Sequence, residues 1–134
     1  MELRRNDMCF GCGKKNDCGL KLEVDYEDGR ARADVIFKDH HQGWEEIVHG
    51  GVITAALDEV MAYALGSKGV PVGVTASLEI RFRKPVLIGE KYTLEAEVIE
   101  FHGRKAKLKA VLKKGDVVHA EGLGIYVILK EVKV

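Results

Sequence analysis

The sequence predicts an α+β domain in which a curved antiparallel sheet wraps around one central helix. Two strand-like segments precede a single long apolar segment, and four more strand-like segments follow it. The apolar segment is rich in Ala, Leu and Met, which favours a helix, whereas alternation of apolar and charged residues favours strands on either side. A helix that is apolar on almost every side needs cover all round, and a strongly curved sheet supplies it.

The first two strands are predicted within Leu20–Phe37. Apolar residues at even positions from Leu20 to Tyr26 alternate with charged residues at odd positions, which is typical of a strand with one wet face. Asp28-Gly29 is a hairpin turn signal, so a second strand should follow over Arg30–Phe37.

The central helix is predicted over Val52–Gly66, about four turns, with Gly66 as its C-terminal stop. We expect this helix to be buried all round. One sheet of this size cannot easily close over such a helix, so a homodimer is expected.

Four further strands are predicted between Val72 and Leu129, where short Gly-containing turns interrupt the alternation. Gly122 and Gly124, in the last strand, indicate either a bulge or a close backbone approach. The predicted bounds of the four strands are Gly73–Arg83, Lys91–Phe101, Arg104–Lys113 and Val117–Leu129.

Length and charge restrict the function classes. The chain has 134 residues, which is one domain (1–134), and it begins with a Cys- and Gly-rich lead-in over residues 1–19. Its 21 Lys and Arg residues balance 21 Asp and Glu residues, so there is no overall electrostatic footprint for nucleic acid or an anionic membrane.

The chain shows no predicted membrane span and no signal peptide. Its longest apolar stretch, Ile47–Leu65, contains a histidine and two carboxylates and is too polar and too short to cross a bilayer. The segment Met1–Met8 is charged and has no apolar core of the kind that a signal peptide needs. We therefore expect a cytoplasmic protein.

Two adjacent carboxylates, Asp58 and Glu59, interrupt the apolar helix. Burying an unpaired carboxylate costs several kcal/mol, so each needs a partner, solvent or a function. Successive helical residues point about 100° apart, so the two acids cannot share one environment. Either both lie on an exposed stripe, or one of them faces a cavity and acts chemically.

The tripeptide His49-Gly50-Gly51 stands at the start of the helix. The N-terminus of a helix carries free N–H groups and the positive end of the helix dipole, and glycine allows close approach. The turn can therefore bind an anion or a developing oxyanion. Alternatively it is only a tight turn, with His49 as a capping residue.

Three cysteines, Cys9, Cys12 and Cys18, lie in the lead-in. A single Cys-x2-Cys pair with a third Cys is only part of a zinc site, and nothing specifies a fourth ligand. We expect packed thiols and no metal or other cofactor. The histidines considered as a fourth ligand are His40, His41 and His119.

A basic cluster, Arg81, Arg83 and Lys84, ends the strand that follows the helix. Interleaved basic residues can hold phosphates. The alternative is a solvated face in which these residues pair with Glu79 or Glu90.

Several of these motifs together resemble the hotdog-fold acyl-CoA thioesterases of the phenylacetyl-CoA thioesterase type. The central match is the segment Val48–Glu59, in which a His-Gly-Gly turn precedes the helix and an acid follows nine residues after the His. Segments 43–47, 74–89 and the Cys-Phe-Gly-Cys-Gly lead-in match as well, so the likeness covers nearly the whole chain. The resemblance implies a hotdog fold and hydrolysis of an acyl-CoA thioester to free acid and CoA.

The resemblance also implies roles for the turn and the helix. The Gly50 N–H would polarise the thioester carbonyl, with His49 and Gly51 shaping the turn. Asp58 would be the catalytic carboxylate, as general base or as nucleophile. Glu59, beside it, leaves open which of the two carboxylates acts.

Further roles are implied around this centre. In this family the acid comes from one subunit and part of the pocket from the other. Thr75 or Ser77 would then face the acid across the dimer interface and orient water. Some members carry an Asn or Gln about six residues before the His, where it helps to place the nucleophilic water. Gly43 holds that position here, so either Gln42, one residue earlier, takes the role or the water is held otherwise. The basic residues Arg81, Arg83 and Lys84 would meet the CoA phosphates.

Two rival functions remain open. One is a hotdog hydratase or dehydratase that acts on acyl thioesters. The other is a non-catalytic module that binds acyl-CoA. The expected partners are acyl-CoA and a second copy of the chain, with a tetramer as a further possibility.

Overall fold

The computed structural model describes residues 6–70 and 72–129. Within them six strands form one antiparallel sheet, and one long helix packs on it. The helix α1 spans Gly50–Gly66, and a short 3₁₀ turn spans Asp39–His41. The strands are β1 (Asp25–Glu27), β2 (Arg30–Ile36), β3 (Gly73–Phe82), β4 (Lys91–His102), β5 (Lys105–Lys114) and β6 (Val117–Ile128).

The strand order in the sheet is β1-β2-β4-β5-β6-β3. The strand that follows the helix therefore crosses to the far edge, and the last three strands fill the space between as hairpins. Helix α1 contacts all six strands, so the sheet curves around it. This arrangement confirms the predicted α+β architecture and is the hotdog fold.

Alternation along the strands builds the core. In β2 every second side chain is buried, namely those of Ala31, Ala33 and Val35, and they face the helix. Tyr92 and Leu94 of β4 do the same. No helix in the described part of the chain is long and apolar enough to cross a membrane.

The prediction that α1 is buried all round is wrong for a single chain. Seven of its residues are buried against the sheet, but another face, which includes Asp58, Glu59 and Tyr63, is only half-buried. The sheet curves around one side of the helix. Asp58 lies beside the edge strand β3, most of whose residues are exposed, whereas Tyr63 lies beside Tyr26 of β1 at the other edge. The buried residues are Ile53, Ala56, Leu57, Val60, Met61, Ala64 and Leu65.

The first strand begins later than its alternation predicts. Residues 20–24 do not join the sheet; instead the Leu20 and Leu22 N–H groups donate to the Phe10 and Gly11 carbonyls of the lead-in. Lys21 has a φ of 50°, which breaks the extended geometry between them. The alternating segment therefore forms backbone hydrogen bonds with the lead-in and not with a neighbouring strand.

The glycines of β6 mark a close approach. A Cβ on Gly124 would lie 2.6 Å from Cε1 of Tyr126, and one on Gly122 would lie 2.9 Å from Cδ1 of Ile80. The register of β6 runs unbroken through both glycines, so of the two predicted alternatives the close approach is confirmed and the bulge is wrong.

We predict that Leu57→Ala lowers the free energy of unfolding by about 3 kcal/mol, because Leu57 is fully buried between helix and sheet. The matched control is Leu87→Ala, at a leucine that is 40% exposed in a loop; it should cost less than about 1 kcal/mol. Urea denaturation of both variants measures the two costs. Equal costs would contradict the assignment of Leu57 to the core.

Candidate active site

The helix begins with a side-chain cap. The His49 Nδ1 accepts a hydrogen bond of 2.8 Å from the Gly51 N–H, and the His49 carbonyl accepts from both Val52 and Ile53. Three of the first four N–H groups of α1 are thus satisfied. The remaining one, the Gly50 N–H, donates to no described residue. His49 therefore shapes the turn and leaves one donor free at the positive end of the helix dipole.

A cleft opens beside this free donor. Its volume is about 440 Å³, and its lining includes Trp44, His49 and Gly50. Trp44 is 82% exposed. The ring of Phe82, at the end of β3, lies 3.3 Å from the position that a Gly50 Cβ would take. A glycine at this point keeps the backbone accessible between two aromatic side chains.

Asp58 lies two turns further along the helix and is held by two hydroxyl groups. The Thr75 Oγ1–H donates to Asp58 Oδ1 at 2.8 Å, and the Tyr126 hydroxyl donates to the same oxygen at 2.6 Å. The Tyr126 oxygen also lies 3.2 Å from the Asp58 carbonyl oxygen. Asp58 Oδ2 has no hydrogen-bond donor among the described residues, so one carboxylate oxygen is fixed and the other is available.

The resemblance placed the contact between Thr75 and Asp58 across a dimer interface, and this expectation is wrong. The hydrogen bond forms within one chain, because β3 returns to the sheet edge beside the half-buried face of α1.

Ser77 does not join this group. The register between β3 and β6 shifts between Thr75 and Ser77, which is a β-bulge. Beyond the bulge, Leu78 pairs with Gly124 on the helix side, so Ser77 belongs to the opposite face of the sheet. The expectation that Ser77 orients water beside Asp58 is therefore not supported.

Tyr126 is a site residue that the sequence did not reveal. It lies in a strand that is apolar on both faces, where a tyrosine looks like core, and it is indeed fully buried. Burial raises the pKa of Tyr126 above its ordinary value, and the hydrogen bond to Asp58 adds to this. The hydroxyl thus stays protonated and keeps donating to the carboxylate.

Glu59 points to a different neighbourhood. Both of its carboxylate oxygens lie 3.8 Å from Cys9 Sγ in the lead-in, and Cys12 is part of the same cluster. Burial, together with the neighbouring Glu59 and Cys9, raises the pKa of the Cys12 thiol to about 12. The structure separates the two adjacent acids, and only Asp58 meets the hydroxyl pair.

Gln42 is engaged within its own loop. Its Nε2 donates to the Asp39 carbonyl at 2.8 Å, and its Oε1 accepts from the Glu46 N–H. Both ends of the amide are therefore used to hold the loop before the His-Gly-Gly turn.

The basic cluster is only partly free. Arg83 forms an ion pair of 2.6 Å with Glu121, and Arg81 lies 3.6 Å from Glu79. The Arg83 guanidinium holds the pKa of the Glu121 carboxyl below its usual range. Lys84 forms no ion pair with any described residue. Of the three, Lys84 retains a positive charge with no described counterion.

A second hollow lies elsewhere in the described residues. It has a volume of about 920 Å³ and lies on the face of the sheet opposite the helix. Among the predicted site residues, only Arg81 lines it. Its charged side chains largely pair with one another, as Glu97 does with Arg30 and Lys109.

Gly50 and Asp58 are separated along the helix. A rise of 1.5 Å per residue places them about 12 Å apart along the axis. An aspartate side chain is too short to bridge that distance. The Gly50 N–H and the Asp58 carboxylate of one chain are therefore not in direct contact.

A family model matches the part of the chain that holds this site. The family model described as the thioesterase superfamily matches residues 45–120, which include the capped helix, Asp58 and Thr75. The chain belongs to the thioesterase superfamily. The match spans more than half of the chain and leaves the Cys-rich lead-in outside it.

Relatives support this membership of the thioesterase superfamily. The chain is 32% identical over 118 residues to a provisionally named esterase of Saccharolobus solfataricus, covering 87% of this chain and 77% of that protein. It is 24% identical over 113 residues to acyl-coenzyme A thioesterase THEM4 of Rattus norvegicus, covering 81% of this chain. The chain spans only 48% of the length of the rat protein.

A solved structure of a Streptococcus mutans protein bound to acetyl CoA has the same fold. The TM-score is 0.77, over 84% of this chain and 91% of that one, at 15% sequence identity.

We predict that Tyr126 makes the fold sensitive to alkaline pH. Because its pKa is raised in the folded protein, the unfolded chain loses this proton first as the pH rises above about 10, and the free energy of unfolding falls. In Tyr126→Phe this contribution is missing, so stability should fall less between about pH 9 and about pH 11. Urea denaturation across that range measures the fall. Below about pH 9 the free energy of unfolding should depend on pH in the same way in the wild type and in Tyr126→Phe. The same dependence in both proteins above about pH 9 would contradict the prediction.

Proposed function

We propose that this protein hydrolyses an acyl-CoA thioester to the free acid and CoA. The observation that carries the proposal is Asp58, a carboxylate with one oxygen fixed by Thr75 and Tyr126 and the other oxygen available. Membership of the thioesterase superfamily supports the reaction type. The acetyl CoA bound to the S. mutans structure and the name of the rat relative support CoA as the leaving group.

The Gly50 N–H polarises the thioester carbonyl. It is the one N–H in the first turn of α1 without a described acceptor, and the helix dipole adds a partial positive charge there. As the carbonyl carbon becomes tetrahedral, its oxygen gains negative charge and this donor stabilises it. The adjacent cleft gives the thioester access to the donor.

Asp58 acts through Oδ2. As general base it takes a proton from water, whose oxygen attacks the carbonyl carbon while the carbon–sulfur bond breaks and CoA leaves as thiolate. As nucleophile the same oxygen attacks the carbonyl carbon, the carbon–sulfur bond breaks and CoA leaves as thiolate. Water then hydrolyses the mixed anhydride to the free acid and the Asp58 carboxylate. In both routes Thr75 and Tyr126 are positioning residues that hold Oδ1 and so aim Oδ2.

The active site is shared between two copies of the chain. The separation of about 12 Å between Gly50 and Asp58 along one helix supports an arrangement in which one copy supplies the N–H and another the carboxylate. The half-buried face of α1 and the exposed edge strand β3 offer the surface for this pairing. Lys84 would meet a CoA phosphate, because it lies two residues after Phe82 and has no described counterion.

We predict that Asp58→Asn lowers kcat by roughly 100- to 10,000-fold, because the amide cannot accept the proton or attack. The assay is release of free thiol from a panel of acyl-CoAs ranging from acetyl to palmitoyl and including aromatic acyl groups. The matched control is Asp34→Asn, because Asp34 also accepts a hydrogen bond from a threonine, Thr93, but lies on the exposed side of β2. Asp34→Asn should retain wild-type kcat.

Three outcomes would overturn the proposal. Full activity of Asp58→Asn would exclude this carboxylate from catalysis. A shifted double bond without thiol release would identify a hydratase or dehydratase. Calorimetric binding of acyl-CoA without turnover across the panel would identify a binding module.

We predict that Gly50→Pro lowers kcat by roughly 100- to 1,000-fold, because proline removes the N–H that stabilises the oxyanion. Gly50 is the first helical residue, where proline is well tolerated, and His49 has a ψ of 135°, which suits a residue before proline. The matched control, Gly50→Ala, keeps the N–H and displaces only the exposed ring of Phe82. Equal activity of the two variants in the thiol-release assay would exclude the Gly50 N–H as the donor.

A further inference from the structure

The lead-in carries a cluster that the hydrolytic reaction does not use. Cys9, Cys12 and Glu59 each offer a ligand atom, and these atoms all lie within 4.8 Å of one another. Two residues come from the Cys-Phe-Gly-Cys-Gly segment and the third from the centre of α1. Within the described residues this is the one such group of three.

The backbone of the lead-in is shaped to form the cluster. The Gly13 N–H donates to the Cys9 carbonyl at 2.8 Å, which closes a tight turn and brings the two thiols to the same side. Gly13 is buried in that turn, and a Cβ on it would lie 2.3 Å from the Asp7 carbonyl oxygen. Both cysteines are half-buried, whereas Cys18 is exposed and outside the cluster.

A second glycine admits the carboxylate. A Cβ on Gly11 would lie 2.4 Å from both Cδ and Oε2 of Glu59, so a side chain at position 11 would push Glu59 away. Gly11 has no positive φ that would otherwise require glycine. Its role is therefore the close approach of the lead-in to this one carboxylate.

The distances suit a tetrahedral ion. Zn²⁺ takes thiolate sulfur at about 2.3 Å and carboxylate oxygen at about 2.1 Å, which places a sulfur and an oxygen about 3.6 Å apart. Cys9 Sγ lies 3.8 Å from each Glu59 oxygen. No Lys, Arg or His in the described ranges forms an ion pair with Glu59, so the carboxylate has no described cation as an alternative partner.

We infer that Cys9, Cys12 and Glu59 form a binding site for one divalent zinc-class cation that fastens the lead-in to the central helix. Two sulfur donors favour zinc over a hard cation such as Mg²⁺. The two thiols release their protons as the zinc–sulfur bonds form, and water completes the tetrahedron. The sequence did not show this site, because its third donor lies 47 residues after Cys12.

Two of the three histidines considered as a fourth ligand, His41 and His119, are engaged elsewhere. His41 is buried, with its Nδ1 accepting from the Lys38 N–H and its Nε2 3.0 Å from the Cys18 carbonyl oxygen. His119 Nδ1 lies 2.9 Å from the Pro85 carbonyl oxygen. Neither belongs to the cluster.

The test is metal binding by the full chain, reduced, freed of metal with a chelator and then titrated with Zn²⁺ against a chromophoric competitor. We expect one Zn²⁺ per chain. Cys9→Ser and Cys12→Ser should each weaken binding at least about 100-fold, and Glu59→Gln about tenfold, since each removes a ligand. Cys18→Ser, a third thiol of the same lead-in, is the matched control and should bind as the wild type does.

A spectroscopic measurement keeps the test independent of hydrolysis. Co²⁺ bound to the wild type should show thiolate charge-transfer bands, and each single Cys variant at positions 9 and 12 should lose about half of their intensity. Absence of stoichiometric Zn²⁺ binding by the wild type would overturn the inference. So would a Cys18→Ser variant weakened as much as Cys9→Ser, or a Glu59→Gln variant of unchanged affinity.

Discussion

Burial of one face of helix α1 fixes the direction of every polar side chain on it. Leu57 and Val60 are fully buried against the sheet. Because successive helical residues point about 100° apart, this burial turns Asp58 toward β3 and β6 and turns Glu59 toward the lead-in. The hydroxyls that hold Asp58 and the thiols that meet Glu59 are therefore consequences of one packing arrangement. Two adjacent carboxylates therefore acquire different partners through their direction on the helix alone.

The start of the same helix supplies the complementary group. The His49 side chain accepts one N–H group and the His49 carbonyl accepts two more, which leaves the Gly50 N–H without a described acceptor. About 12 Å of helix then separates the donor and the acid within one chain. This separation supports the proposed sharing of the site between two chains, and the half-covered face of α1 is the surface that a second copy would cover.

Much of this architecture could be predicted, because the composition of the apolar segment favours a helix and Gly-containing turns delimit the four later strands. The capping role of His49 followed from its place before the helix. Contacts between distant segments could not be predicted in the same way. Nothing near Tyr126 in the sequence indicates a hydroxyl aimed at Asp58, and the bulge that turns Ser77 away has no local signal. The first strand was predicted to begin too early, because residues 20–24 form hydrogen bonds with the lead-in instead of joining the sheet.

The central claim, that the Gly50 N–H of one copy and the Asp58 carboxylate of another form one site, is tested most directly by mixing two inactive chains. An Asp58→Asn chain and a Gly50→Pro chain would be co-expressed with different tags, and the mixed pair would be purified through both. A shared site leaves one of the two sites intact in each mixed pair, so thiol release should return to about half of the wild-type rate. A mixed pair as inactive as its parents would contradict the account.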